Sequence, residues 1–441
     1  VITQISATNF KSWADTGKIR LAPLTGFFGT NSSGKTSLLQ ILLLLKQTAA
    51  SSDRNMVLQT EGSLVSLGTL RDVLHGDALS TSISLDWKPS TPIRIDPITL
   101  DNLSFSSYVT LDGGIPVIER ITYKGERFSG NISRSEKKRD RYQIEVLVDN
   151  REPRRIQGRP PNIGRPIKCY GFPGEALQYY QDADYLSDFN YAFEQLFGSV
   201  FYLGPMREDP KRIYQILGNR PDDVGRKGEL AIAALATAGE DRDYRPSGKP
   251  KARKISLAEK IAAEMKAMGL IESFRVEQLV ENINQYQVLI KRTEQSREVP
   301  IVDLGFGISQ VLPVLVICYY SPQKSTIILE QPEIHLHPSA QSALADVLID
   351  AVKARNVQII FESHSEHLIR RLQRRITEET IKKEDIALYF CSMEGGKSQL
   401  TELELSEYGD ILNWPDGFFG DLTGDLIEMT ESSIQRQLQL L

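Results

Sequence analysis

The apolar positions of this chain change period several times, and those changes mark out its elements. Ile2, Ile5 and Phe10 alternate with polar residues, and IRLAPLTGFFG follows. The pattern predicts two short strands joined by a turn at Asp15-Thr16-Gly17. SLLQILLLLKQTAA, from Ser37, reads as a buried helix. From about Ser82 to Asp149, SISLDW, SYVTLDG, PVIERITYKGERF and YQIEVLVD read as strands broken by Pro, Gly and Asn, which predicts an antiparallel lobe. Helical spacing dominates from about Gly171 to Ala267, in DFNYAFEQLF and SLAEKIAAEMKAM, around a polar, basic loop, DRDYRPSGKPKARK. QYQVLIKRTEQSREVPIVDL reads as a hairpin. Beyond it, helical VLPVLVICYY, SAQSALADVLIDAVKA and EHLIRRLQRRI alternate with the apolar strands STIILE and VQIIFES. Such alternation predicts a mostly parallel sheet covered on both faces. The sequence has no internal repeat, low-complexity tract or long heptad run.

GTNSSGKT, Gly29 to Thr36, fits G-x-x-x-x-G-K-[ST] and lies between an apolar strand and a helix, the context that gives this motif meaning. Gly29 and Gly34 let the backbone curl so that N–H groups face phosphate oxygens. The helix start adds a favourable dipole. Lys35 offers a charge to the β- and γ-phosphates, and Thr36 offers a hydroxyl to Mg2+.

STIILE puts Glu330 at the end of a buried strand, where a carboxylate can hold Mg2+ directly or through water. Gln331 follows. Its amide has the shape to hold an attacking water but cannot accept the proton that a general base takes. Glu333 is a nearby carboxylate that can serve as the base or order the loop after Pro332. VQIIFESHSEH ends a second buried strand at Ser363-His364-Ser365, where a histidine can reach a γ-phosphate or simply pack the loop. His335, His337, His364 and His367 all follow these two strands, which raises a zinc cluster as a reading. H-x-H plus H-x-x-H without cysteine is a weak ligand pattern.

Composition adds limits. The 441 residues are 41% hydrophobic and 25% charged, with net charge −5, which fits two or three globular domains and argues against a uniformly basic nucleic-acid binder. Cys169, Cys318 and Cys391 are far apart and suit a reducing compartment without a disulfide framework. The longest apolar runs fall short of a membrane span. A soluble cytoplasmic protein is expected.

NFKSW, GTNSSGKT, GFGISQVLPV, ILEQPEIHLHP and FESHSEH occur together in this order in one known group. The chain resembles the ABC-type ATPase heads of the SMC, RecF and OLD group. FYLGPMREDPKR and the ending ELSEYGDILNWPDGFFGD make it similar, more closely, to bacterial ATPases with a short C-terminal domain of unknown function. The resemblance implies an α/β P-loop NTPase, an ABC-type ATPase head with a mostly parallel core sheet, an antiparallel β lobe and a helical insertion. The expected divisions are an ATPase N-terminal part (1–80), the β lobe (81–170), a mainly helical insertion (171–298), an ATPase C-terminal part (299–395) and a C-terminal extension (396–441).

It further implies ATP and Mg2+ as cofactors and a homodimer or higher homo-oligomer formed through the heads. Asn31, Ser32, Ser33, Gly34, Lys35, Thr36 and Ser37 would hold the phosphates. Glu330, with Thr36, would hold the metal, and His364 would be the switch histidine. His337 would lie near the loop that crosses to the other subunit, and Lys11 near the nucleotide. Two departures stand out. Gln331 occupies the usual place of the catalytic glutamate, so slow hydrolysis is expected. LGFGIS replaces the usual signature loop, although Gly305, Gly307 and Ser309 can still present N–H groups and a hydroxyl to a γ-phosphate in trans.

Basic clusters at 133–142, 151–160 and 248–254 balance a DNA-binding reading against a solvated surface. RRLQRR, 370–375, reads as a solvated helix face with Leu372 inward. Trp414 and Phe418-Phe419 read as an aromatic plug or a docking surface. No nuclease constellation is present. The expected function is an ATPase that gates a separate effector, a nuclease or toxin, in bacterial antiphage defence of the Septu or PARIS kind. The alternatives are a RecF-like DNA-binding repair ATPase and a non-hydrolysing ATP-bound scaffold. No membrane partner is expected.

Overall fold

A computed structural model describes residues 1–135, 141–156, 163–216, 218–239, 254–280, 283–415 and 429–430. Its centre is a six-stranded sheet. The strands run in the order Val200–Leu203, Thr326–Glu330, Gln358–Glu362, Leu24–Gly29, Ile386–Glu394 and Lys397–Glu402. The first five are parallel to their neighbours, and only the last pair is antiparallel.

Successive residues of these strands enter different cores, as the period-2 geometry of a strand requires. Phe27, Ile328 and Ile360 join one apolar cluster with Leu38 and Leu42 of the helix Lys35–Ala50. Phe28, Ile327, Leu329, Ile359 and Phe361 join a second, built from the helices Phe306–Tyr320, Pro338–Arg355 and Glu366–Thr377. Both faces are buried, which is why these strands read as continuous apolar runs.

The antiparallel sheet runs from Tyr142–Val148 through Phe128–Arg134, Ile115–Gly125, Leu103–Asp112 and Ser80–Trp87 to Ile2–Phe10 and Trp13–Asp15, with Ile19–Arg20 also on Ile2–Phe10. It shares the first apolar cluster. Phe193, on the helix Tyr185–Gly198, stacks on Tyr170 at 4.2 Å and meets Phe105 at 5.0 Å.

The pairing differs from the sequence reading in two places. The opening strand Ile2–Phe10 belongs to the antiparallel sheet, because its partner Ser80–Trp87 lies more than seventy residues on. Val200–Leu203, inside a stretch read as mainly helical, is the edge of the core sheet. The hairpin expected over residues 285–304 is present as Ile283–Lys291 against Val299–Pro300. Ser273–Val280, which the sequence reading did not include, also pairs with Ile283–Lys291. No helix of the described residues is long and apolar enough to cross a membrane.

Candidate functional site

Leu24–Gly29 delivers the chain to a loop that only glycine can begin. Gly29 has φ 136°, and a Cβ there would stand 2.0 Å from the carbonyl oxygen of Cys391. Gly34, with φ 92°, precedes the helix Lys35–Ala50. The indole N–H of Trp13 donates to its carbonyl at 3.1 Å. NFKSW therefore braces the loop from below. Asn31 and Ser32 are exposed at the tip, and Ser37 is half-buried in the first helical turn. Ser33 is buried and donates to the Thr30 carbonyl at 2.8 Å.

Lys35 folds back over the loop. Its Nζ donates to the carbonyls of Gly29 at 3.1 Å and Thr30 at 2.7 Å. Burial lowers its pKa, and the Glu362 charge opposes that shift. The Lys11 Nζ donates to Gln40, one turn along the helix from Thr36, at 2.7 Å.

Three buried carboxyls collect at the carboxyl ends of the parallel strands, the edge where open α/β sheets hold ligands. Glu330 and Glu362 are in register on neighbouring strands, and Glu362 is in register with Phe27 on its other side. Glu362 thus stands between the acidic strand and the phosphate-loop strand. The Thr36 hydroxyl donates to Glu362 Oε2 at 2.7 Å. Glu330 turns the other way and accepts from the Tyr202 hydroxyl at 2.7 Å. Glu333 Oε1 accepts the His364 N–H at 2.8 Å, and its Oε2 has no hydrogen-bond partner.

Gln331 takes φ 44°, and its N–H donates to the Glu362 carbonyl at 3.0 Å. Burial raises the pKa of all three carboxyls, and that of Glu362 reaches about 7 with the neighbouring Glu330 charge adding to the shift. Burial and then the Lys35 charge lower the pKa of His364.

Glu362 was not singled out in the sequence. It ends VQIIFE as Glu330 ends STIILE, and laying the two strands side by side would have shown it. Thr36 meets Glu362 rather than Glu330. The described residues hold no group of three or more His, Cys, Asp or Glu side chains placed to bind a metal, so the four histidines form no zinc cluster there. The oxygen set of Thr36 with one or two carboxylates suits Mg2+, which is held largely by phosphates and water.

At the signature-like loop, Gly305 and Phe306 are exposed at the helix start, Phe306 by 64%. Gly307 sits against the His335 carbonyl, 2.9 Å from where its Cβ would be. Ser309 is buried and its hydroxyl donates back to the Phe306 carbonyl at 2.8 Å, so it faces inward. His337 caps the helix Pro338–Arg355 through Ser339.

RRLQRR is occupied by acidic partners. Arg371 and Arg375 pair with Asp346, Arg370 with Glu366, Arg374 with Glu378, and Leu372 is fully buried. Trp414 packs against the second core and stacks under Arg370 at 4.8 Å. Phe418 and Phe419 lie outside the described residues, as do 136–140, 157–160 and 248–253 of the other basic clusters.

A family model described as "AAA domain, putative AbiEii toxin, Type IV TA system" matches residues 24–370. A second, "Protein of unknown function (DUF3696)", matches residues 381–429. Similar solved structures include an SMC head bound to the C-winged helix domain of ScpA, at 12% identity and TM-score 0.45, covering 92% of this chain and 98% of that one. Another is the SMC head domain from Thermotoga maritima, at 10% identity and TM-score 0.42, covering 91% and 99%. A third is an Smc head with an extended coiled coil bound to the C-terminal domain of ScpA derived from Pyrococcus furiosus, at 11% identity and TM-score 0.43, covering 92% and 96%. No curated protein matches the chain.

Proposed function

From the premise that the chain belongs to the AAA-domain ATPase family whose model spans residues 24–370, we propose that it binds ATP with Mg2+ at the phosphate loop and hydrolyses it slowly. The observation that carries this reading is the 2.7 Å bond from Thr36 to Glu362, which joins the loop to a buried carboxylate beside Glu330. Residues Asn31 to Ser37 cradle the phosphates, and Lys35 leaves its carbonyl partners for phosphate oxygens. Thr36 and Glu362 would hold Mg2+, with Glu330 on the neighbouring strand. The ion would supply charge neutralisation at the phosphates.

Gln331 orients water by its amide. Glu333 Oε2, which has no partner, accepts the proton as the water oxygen bonds to the γ-phosphorus. The bond from that phosphorus to the bridging oxygen breaks, and ADP leaves with the electron pair. His364, tied to Glu333 through its N–H, senses the γ-phosphate. The missing glutamate at Gln331 makes the step slow.

Two heads then close around nucleotide, with the exposed Gly305–Phe306 helix start facing the partner's site. That closure gates a separate effector, a nuclease or toxin. Antiphage defence is the expected context of such a partner. The RecF-like DNA reading is weaker at RRLQRR, whose arginines already have acidic partners. Calorimetric titration of the full chain with ATP, with and without Mg2+, tests the site. Binding that needs Mg2+ in wild type, and loses that dependence in both Thr36→Val and Glu362→Gln, is expected. Equal Mg2+ dependence in wild type and both variants would overturn the assignment.

A further inference from the structure

One buried cation at this edge of the sheet has no role so far. Arg207 follows the edge strand Val200–Leu203 in the stretch FYLGPMREDPKR. Leu203 is in register with Leu329, so the residues after it run beside the end of the acidic strand. The phosphate loop opens at the same carboxyl edge. The segment is fixed by backbone bonds, Gly204 N–H to the Arg226 carbonyl at 2.8 Å and Glu208 N–H to the Lys227 carbonyl at 2.9 Å.

The Arg207 side chain is only 8% exposed. Its Nη2 donates to the Glu330 carbonyl at 3.1 Å, while Nε and Nη1 have no hydrogen-bond partner. A buried guanidinium normally satisfies its donors, and leaving two unpaired is costly. A plain counter-charge for Glu330 and Glu333 would be expected to pair with one of them directly. Glu330 instead accepts from Tyr202, and Glu333 Oε2 is itself unpaired. Among the described residues Arg207 forms no ion pair within 4.0 Å. The Glu333 charge acts on both Arg207 and Lys35.

We propose that Arg207 is a phosphate-contacting residue of the same chain, whose unpaired Nε and Nη1 donate to the terminal phosphate oxygens of bound ATP. The proposal rests on the ATP-site reading above. It gives the fold a cation at the γ-phosphate that does not depend on a second subunit. Guanidinium suits this place because it stays charged when buried and forms charge-assisted bonds to phosphate. Its contact is made to ATP and not to ADP, so the two nucleotides should be distinguished by it.

The test is the affinity ratio of the full chain for the β,γ-imido analogue of ATP against ADP, measured in Mg2+ buffer for wild type, Arg207→Gln and Arg207→Lys. Gln can replace at most one of the two charge-assisted bonds and carries no charge, so Arg207→Gln should weaken the ATP analogue by about tenfold or more. ADP should change by less than about twofold. Arg207→Lys, which keeps the charge and is the milder change in a buried place, should retain part of the discrimination. Equal losses for both nucleotides, or an unchanged ratio with a lowered melting temperature, would assign Arg207 a structural role and overturn the proposal. Lys35→Ala separates the two levels. If wild type binds neither nucleotide, the ATP reading fails and this inference with it. If wild type binds both, Lys35→Ala abolishes binding and the Arg207 variants keep the wild-type ratio, this inference alone fails.

Discussion

Replacing Glu362 with Gln should change how the stability of the nucleotide-free chain depends on pH. The carboxyl is 2% exposed, and burial with the nearby Glu330 charge raises its pKa from 4.5 to about 7. A carboxyl with a higher pKa in the folded state holds its proton more tightly there. The folded state is therefore favoured at low pH and loses stability as pH rises from about 4.5 through 7. The full loss is ~3 kcal/mol for a change of this size. About 1 kcal/mol of it is already present at pH 5, so ~2–3 kcal/mol develops between pH 5 and 8. Gln has the same shape, accepts from Thr36 and does not titrate. For 441 residues at ~2.1 cal/mol/K each, that difference is about 3 °C in melting temperature if the chain unfolds as a unit. Thermal melts of both proteins in chelator at pH 5 and pH 8 measure it. The melting temperature of Glu362→Gln minus that of wild type should rise by about 3 °C between the two pH values. A constant difference would show that Glu362 is not desolvated in the folded chain, and would refute its placement in a buried site.

Two further substitutions probe the frame that holds the site. Gly29→Ala places a Cβ against the Cys391 carbonyl at a φ that L-residues avoid, and should destabilise the chain by about 3 kcal/mol in urea denaturation. A loss below about 0.5 kcal/mol would mean the loop relaxes freely. Phe193→Ala removes a fully buried ring stacked between the antiparallel sheet and its helix, and should cost about 3–5 kcal/mol by the same assay without touching nucleotide affinity.

The parts that could be read in the sequence are those whose physics is local. Continuous apolar strands such as STIILE and VQIIFES announce a sheet buried on both faces, and the two clusters on either side of Ile327 and Ile328 follow from strand period alone. GTNSSGKT could be placed between a strand and a helix because its chemistry lies in eight consecutive residues. VFYL escaped notice because four apolar residues between helical stretches carry no period that separates strand from helix. The partner of Ile2–Phe10 lies too far along the chain for local pattern to specify. Glu362 and Arg207 were invisible as site residues for another reason. Which way a strand-end side chain points is decided by register with its neighbours, and Glu330 and Glu362 diverge, toward Tyr202 and Thr36, although their strands end alike.

The account stands most directly on ATP turnover by the purified chain in Mg2+, measured beside Lys35→Ala, Gln331→Glu and Glu333→Gln. It predicts slow hydrolysis by wild type, none by Lys35→Ala, faster hydrolysis by Gln331→Glu, and loss of turnover with retained ATP binding in Glu333→Gln. Wild type that binds ATP without turnover, or Glu333→Gln that hydrolyses at the wild-type rate, would contradict it.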